Sequence, residues 1–452
     1  MSNINPSIFK AYDIRGVYPD EINEDAAYKI GQAFVKFLEN EGKIGNRQII
    51  VGRDARESSP NLFEALTQGL LSQGVDVIDI GEVSTPLFYW ALIKEGVAGG
   101  IMITASHNPG QYNGFKICSA GSISIGAENG LFKIRDLAGR EDSGLLATPG
   151  KMTQKDLLAD HINFISQKFN VKNLKPLKII IDCGNGMAGP EISEIIKKLA
   201  LQAEVLYAEP DGKFPNHEAN PSKEETLAVL KNKVLSGKAD LGIAFDGDAD
   251  RIAFVDEKGE TVRGDFVGAL IALELLRKDP GQKVFYEVRT SKIVPEIIAS
   301  AGGVAVLGRP GHSLIKQQMR KEDILFGGEL SGHYFYKELG FIESTLFTML
   351  EVLYILSSRE KPFSAQTARF KKYFASGEIN FKVREPDKIL MDIEQKYKNA
   401  QIKKIDGLTV IYADWWFNLR RSNTEPLIRL NLEADTRELM EEKKRELSIL
   451  II

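Results

Sequence analysis

Apolar and polar positions fall in blocks that repeat along this chain. Ile49-Ile50-Val51 runs into polar Gly52-Arg53-Asp54, a helix-like stretch extends from Pro60 to Ser72, and Val75-Asp76-Val77 opens a second apolar strand. The layout returns at Ile179-Ile180-Ile181-Asp182, with Pro190, a helical stretch to Leu199, and Val205-Leu206-Tyr207. It returns again at Val284-Phe285-Tyr286-Glu287, with Pro295, Glu296 to Ser300, and Val304-Ala305-Val306. In each copy the proline lies 11 residues beyond the first strand residue: 49 to 60, 179 to 190, 284 to 295. Proline suits the first helical position, where the amide it lacks would have no intrahelical partner. Strand, loop, helix and strand make a βαβ unit, which implies parallel pairing with helices covering the sheet.

The last stretch has a different period. Phe381-Lys382-Val383 and Leu408 to Tyr412 are strand-like, and Trp415 to Arg420 and Ile428 to Leu432 alternate or nearly so. A charged helix follows from about Thr436. This pattern predicts an α+β domain with an antiparallel sheet, and Trp415-Trp416 as core. The apolar end, Leu447 to Ile452, either packs on that domain or reflects truncation. Seams near Gly150, Asp256 to Gly259 and Arg369 divide the chain into residues 1–150, 151–256, 257–368 and 369–452. The expected fold is three similar mixed-sheet α/β domains followed by an α+β C-terminal domain.

At 452 residues, with 43% hydrophobic and 27% charged positions, the chain needs several cores and is neither disordered nor fibrous. A net charge of −4 argues against a broad nucleic-acid-binding face but leaves room for a local anion pocket. Two cysteines, Cys118 and Cys183, make no disulfide framework. The start lacks a basic segment followed by an apolar run, and no window approaches 18 uninterrupted apolar residues. A cytoplasmic protein with no membrane or nucleic-acid partner is expected.

The strongest chemical signal is Asp246-Gly247-Asp248-Ala249-Asp250-Arg251, between the apolar runs Leu241 to Phe245 and Ile252 to Val255. Both flanks read as strands, so the loop joins a hairpin. Three carboxylates two residues apart repel one another, and a hard divalent cation with oxygen ligands relieves this. Magnesium takes few carboxylates and completes its shell with phosphate or water, so the loop predicts a phosphate partner. An EF-hand would need glycine where Arg251 stands, and helical flanks. An aspartyl nucleophile of the haloacid-dehalogenase type would have Thr or Val in place of Asp250. A solvated acidic turn is the remaining alternative.

A second loop, Thr104-Ala105-Ser106-His107-Asn108-Pro109-Gly110, follows the buried-strand pattern Gly99 to Ile103 and leads on to Lys116. Serine beside histidine before Asn-Pro-Gly is either a turn with functional side chains or a plain capping serine. No Gly-x-Ser-x-Gly elbow is present, which argues against a serine hydrolase.

Five motifs in fixed order carry a resemblance across almost the whole chain. They are Lys10 to Gly16 (KAYDIRG), Thr104 to Pro109 (TASHNP), Asp246 to Arg251 (DGDADR), Gly327 to His333 (GGELSGH) and Arg420 to Pro426 (RRSNTEP). With them the chain resembles the α-D-phosphohexomutase family, in its bacterial phosphomannomutase/phosphoglucomutase branch. The resemblance implies four domains around a central cleft, each supplying one loop. It implies that Ser106 carries the phosphoryl group, with Asp246, Asp248, Asp250 and the phosphoserine holding one Mg2+. It places Arg15, His107, Lys116, Arg251 and His333 around the moving group, with His333 or Lys116 as general base. It places Tyr12, Arg289, His312, Glu329 and Ser331 on the sugar, and Arg420, Ser422, Asn423 and Thr424 on the non-reacting phosphate. Arg289 stands where a lysine is frequent, and Pro310 before Gly311-His312 departs from the family pattern.

The implied reaction is reversible phosphoryl transfer between C1 and C6 of mannose and glucose phosphates. A hexose 1,6-bisphosphate is both intermediate and activator, in a monomer or weak homodimer. A loose transition state of this kind is stabilised by cations and positioning, as these residue types suit. The Glu329-Leu330-Ser331 triplet resembles the mannose/glucose type; a phosphoglucosamine mutase is the alternative within the family. Outside it stand a sugar phosphatase with an aspartyl-phosphate intermediate and a non-catalytic sugar-phosphate binder.

Overall fold

The computed structural model describes residues 4–140, 148–169, 175–421 and 427–452. Three mixed sheets follow one plan. In the first, Ile14–Val17, Tyr112–Ser119, Gly99–Ile103, Gln48–Arg53 and Asp76–Glu82 are neighbours in that order. In the second the order is Thr261–Val262, Ile252–Asp256, Leu241–Phe245, Ile179–Asp182 and Ala203–Leu206. In the third it is Ile342–Glu343, Tyr334–Tyr336, Phe326–Gly328, Lys283–Glu287 and Val304–Gly308. Read in these orders, each has two antiparallel pairings and then two parallel ones. The strand–helix–strand repeat read from the sequence is the parallel half of this plan.

The other half, an antiparallel hairpin, is also common to all three sheets. Its turn carries residues 104–111 in the first sheet, 246–251 in the second and 329–333 in the third. Equivalent turns therefore present the serine loop, the acidic loop and the Glu329 loop. The inner parallel strands carry unbroken apolar runs where both faces are covered: Ile179–Asp182 is buried at every position. Past the Gly150 seam, Met152–Gln154 adds to the edge of the first sheet beside Asp76–Glu82. Past Asp256, Thr261–Val262 belongs to the second.

The repeated prolines do not occupy the first helical position. Pro60 is the second residue of helix Ser59–Leu71, whereas Pro190 and Pro295 are the third residues of Ala188–Leu199 and Ile293–Ser300. The substitution is still harmless there, because the first four amides of a helix all lack an intrahelical acceptor.

The fourth sheet is antiparallel throughout, in the order Phe374–Lys382, Leu427–Ala434, Trp415–Arg421, Leu408–Ile411, Gln401–Lys403. Trp415 and Trp416 are buried. Leu447 and Ile451 of the final helix, Arg437–Ile451, enter this sheet's core, while Ile449 and Ile452 face outward. The sequence reading passed over helix Pro386–Lys396 and strand Gln401–Lys403. Ile393 is the helix's one fully buried position, so its apolar signal is weak.

One continuous apolar cluster joins the first three domains, running from Leu87 and Phe88 through Leu270 to Leu350 and Phe363, and it takes in Phe370 just past the Arg369 seam. The fourth has its own core around Phe417, Leu430 and Leu447. Its join to the third is polar: Glu433 Oε1 accepts from the Lys292 amide at 2.9 Å and from Trp416 Nε1 at 3.1 Å, and Lys292 Nζ pairs with Asp435.

Glu351 lies inside the shared core on helix Thr345–Ser358, with Oε2 lacking a hydrogen-bond partner. Burial pushes its carboxyl up to about 7; Lys278 pulls it down, and Glu338 and Glu274 push it further up. Between the ordinary carboxylate value of about 4.3 and 7 the folded chain keeps a proton that the unfolded chain has lost. Stability therefore falls as pH rises through that window, by on the order of 3 kcal/mol at most. Glu351→Gln is expected to raise the unfolding midpoint at pH 8 by several degrees and leave it nearly unchanged at pH 5, as followed by circular dichroism. An equal shift at both pH values would refute this.

Candidate active site

The serine and acidic loops meet in direct contact. Ser106 is 2% exposed and adopts a left-handed backbone, φ +52°, a conformation that a non-glycine side chain disfavours. Its amide donates to Thr104 Oγ1 at 2.9 Å, and its Oγ donates to Asp246 Oδ2 at 2.8 Å. His107 Nδ1 lies 3.2 Å from the same Oγ. Gly247 permits this approach, since a Cβ there would sit 2.5 Å from the Ser106 carbonyl oxygen.

The three acids are buried, and one carboxylate oxygen of each lies within 4.8 Å of the others. Lys116, on the strand after the serine loop, donates to Asp248 Oδ2 at 2.6 Å and to Asp250. Arg251 donates its amide to Asp246 Oδ1 at 3.0 Å, and its Nε stands 3.9 Å from Oδ2. Asp248 Oδ1 is buried with no hydrogen-bond partner. An all-oxygen set with an orphaned carboxylate oxygen fits a hard divalent cation.

The Glu329 loop reaches the acids through His333. Its Nε2 lies 3.1 Å from Asp250 Oδ1, and its Nδ1 lies 2.9 Å from both Ser331 Oγ and Glu329 Oε2. Glu329 Oε1 accepts the Gly311 amide at 2.7 Å, at the start of helix His312–Glu322.

Electrostatics sort the group. Burial alone would raise Asp250 and lower His333 and Lys116, but the opposite charges win. Asp250 is held well below the carboxylate range by Lys116 and His333. His333 is raised to about 9 by Asp250 and Glu329, and Lys116 is raised by Asp248 and Asp250. Asp246 goes the other way, raised by burial and then by Asp250 and Asp248. Glu329 falls to about 2 because His333 and Arg289 overcome its burial. His107 is held well below its ordinary value by burial, then by Arg251 and Arg15.

Arg15 Nη1 donates to Asn108 Oδ1 at 2.7 Å and Nη2 to Asp13 Oδ2 at 2.5 Å, which fixes it beside the serine loop. Arg289 is held by Glu287 through Nε at 2.7 Å and Nη2 at 2.5 Å. Both ring nitrogens of His312 are buried without partners. Tyr12 donates to the Pro310 carbonyl at 3.2 Å, its ring edge-on to His312. Arg420 donates to Glu378 Oε2 at 2.9 Å, and its Nε is buried without a partner. Charges of the fourth domain, Asp406 and Arg420, act on Tyr12, and Glu378 acts on Arg289. Ser422, Asn423 and Thr424 lie outside the described residues.

Three contacts escaped the sequence reading. Thr85 Oγ1 donates to Asp248 Oδ2 at 2.6 Å, and Thr345 Oγ1 donates to the Ala249 carbonyl at 2.6 Å. Each threonine follows a capping serine, Ser84 or Ser344, so the motif reads as an ordinary helix start. The third is Arg56, in the turn after strand Gln48–Arg53. None of the three carries a spacing that sequence alone would single out.

A serine, an acid triplet and a glutamate–histidine loop, delivered to one point by equivalent turns of three α/β domains, define a multidomain enzyme. Models of the phosphoglucomutase/phosphomannomutase family match in four consecutive parts: alpha/beta/alpha domain I at residues 6–144, domain II at 159–259, domain III at 263–373, and the C-terminal domain at 378–449. The chain is 38% identical to a phosphomannomutase of Escherichia coli K12 over 98% of both chains. It is 39% identical to a phosphomannomutase of Methanocaldococcus jannaschii over 98% of this chain and 97% of that one. A crystal structure of a phosphoglucomutase/phosphomannomutase family protein from Burkholderia thailandensis superposes with a TM-score of 0.89 at 32% identity, covering 99% of this chain and 97% of the other. The chain belongs to the phosphoglucomutase/phosphomannomutase family and is a phosphohexose mutase.

Proposed function

We propose that the enzyme interconverts the 1-phosphates and 6-phosphates of mannose and glucose through a phosphoserine at Ser106 and a hexose 1,6-bisphosphate. The observation that carries this is the 2.8 Å contact of Ser106 Oγ with Asp246, which joins the nucleophile to the acid triplet. Phosphoserine gives its phosphoryl group to the free hydroxyl of a hexose monophosphate. The P–Oγ bond breaks as the new P–O bond forms, and the hydroxyl proton passes to whichever of His333 and Lys116 has first given up its own proton to solvent; Asp250 raises both, so the neutral form that acts is the minor one. The bisphosphate turns over in the cleft, and Ser106 takes back the other phosphoryl group.

Asp246, Asp248 and Asp250 would hold Mg2+, which supplies positive charge to the phosphoryl oxygens when bound. Arg15 and Arg251 add fixed cations around the moving group, joined by Lys116 whenever His333 is the base, and His107 lies beside the nucleophile. Glu329, already ionised and aimed by Gly311 and His333, accepts from sugar hydroxyls, with Ser331 beside it. Tyr12, His312 and Arg289 line the sugar's other side. Arg420, with Ser422, Asn423 and Thr424, takes the non-reacting phosphate, for which a planar guanidinium is suited.

A coupled assay with mannose, glucose and glucosamine 1-phosphates, with and without glucose 1,6-bisphosphate, tests this reading. Turnover of the first two, primed by the bisphosphate and stopped by chelation, is expected. A phosphoenzyme labile to hydroxylamine would instead indicate an aspartyl intermediate and overturn it.

A further inference from the structure

Arg56 is 1% exposed, yet it has no role in the site described so far. A guanidinium has five N–H donors in a fixed plane, and here each has an acceptor. Nε donates to Asp54 Oδ2 at 3.0 Å. Nη1 donates to the carbonyls of Pro109 at 2.7 Å and Tyr112 at 2.9 Å. Nη2 donates to the carbonyls of Ser106 at 2.8 Å and Asn108 at 2.7 Å. Three of the five bonds thus go to the backbone of the loop that carries the nucleophile, and a fourth to Tyr112, where the next strand begins.

The carboxylate that aims Arg56 is itself fixed. Asp54 Oδ1 accepts from the Arg56 amide at 3.1 Å and from Ser59 Oγ at 2.7 Å. The guanidinium also lies against the ring of Phe214, 5.3 Å from its centre, so the second domain seals it from above. Gly212 of the same segment packs on the Arg56 backbone, where a Cβ would come within 2.5 Å of the Arg56 Cα.

We infer that Arg56 is the positioning residue for Ser106: its planar fork gathers four carbonyls between Ser106 and Tyr112 and holds the serine in the left-handed conformation that sets Oγ on Asp246. Turning those carbonyls inward onto one cation fixes the loop's backbone path between Ser106 and Tyr112. The conformation at Ser106 is one that its own side chain disfavours, so it persists only where the surroundings impose it. Lysine cannot replace the fork, because one ammonium offers three donors from a single point. This inference rests on the phosphoserine reading of Ser106.

The test compares Arg56→Lys and Asp54→Asn with wild type and with Arg53→Lys, a neighbouring surface-side arginine that pairs with Asp79. Steady-state kinetics with glucose 1-phosphate are read beside the single-turnover rate of Ser106 phosphorylation by glucose 1,6-bisphosphate, followed by intact mass. Arg56→Lys is expected to lower both kcat and the phosphorylation rate by about 100-fold, as for a nucleophile displaced by about 1 Å, with KM changed less than about threefold. Asp54→Asn keeps the guanidinium but loosens its aim, and about a tenfold loss with the same kcat-only signature is expected. Where Arg56→Lys lowers the unfolding midpoint markedly, Asp54→Asn decides. Wild-type rates in a folded Arg56→Lys, or parallel losses in kcat and affinity, would overturn the inference. A wild-type enzyme that acquires no phosphate on Ser106 would instead overturn the phosphoserine reading.

Discussion

Ser106→Ala is expected to reduce interconversion of mannose 1-phosphate and mannose 6-phosphate by about 10⁴-fold or more, while the fold is kept. The hydroxyl is the group that breaks and remakes the bond to phosphorus, so no neighbouring donor compensates for it. Alanine removes the hydroxyl's contacts with Asp246 Oδ2 and His107 Nδ1 and leaves the loop's backbone bonds to Arg56 in place. Asp246 keeps the Arg251 amide on its other oxygen. The variant should therefore unfold near the wild-type midpoint and still bind hexose phosphate through the loops of the other domains. Intact-mass measurement after incubation with glucose 1,6-bisphosphate gives the second readout: wild type gains one phosphoryl group and the variant gains none. Activity within about 100-fold of wild type would remove Ser106 from the reaction.

Asp248→Asn should have the next largest effect, about 10³-fold on kcat, together with at least tenfold weaker binding of Mn2+ used as a magnetic probe. Asp248 offers the one carboxylate oxygen of the triplet that is buried without any partner. Its other oxygen accepts from Thr85 and Lys116. An amide removes the charge and points two N–H donors into a group of acids, where a cation would otherwise sit. Lys116 keeps Asp250, so the packing around the loop survives. The two readouts separate the causes. Normal Mn2+ binding with lost activity would show that the acids serve something other than metal. Weakened Mn2+ binding with normal activity would show that the metal is dispensable.

Much of this site was legible before any coordinates. The acidic loop announces itself because three like charges two residues apart have no cheap structural explanation, and its apolar flanks specify a hairpin, observed as Leu241–Phe245 against Ile252–Asp256. The strand–helix–strand repeat showed because a buried parallel strand needs an unbroken apolar run. The hairpin half of the repeat did not show, since Gly99–Ile103, Leu241–Phe245 and Phe326–Gly328 end in turns of different length and chemistry. Arg56 was invisible for a related reason. A charged residue just after a strand is ordinarily solvated, and only the folded serine loop supplies the carbonyls that make it an interior group. Glu433 and Lys292 likewise become a joint between domains only when two distant segments meet.

The separate core of the fourth sheet has a consequence for turnover. In the mechanism proposed above, a bisphosphate presents first one end and then the other to a stationary serine and needs room to somersault. Three domains welded through one apolar interior cannot yield that room without breaking their shared packing. The last domain, attached through a polar joint at Lys292, Glu433 and Asp435, can swing outward at little expense to its own interior. The catalyst is thus built as an anvil with one separately cored jaw, hung on hydrogen bonds and an ion pair at Lys292.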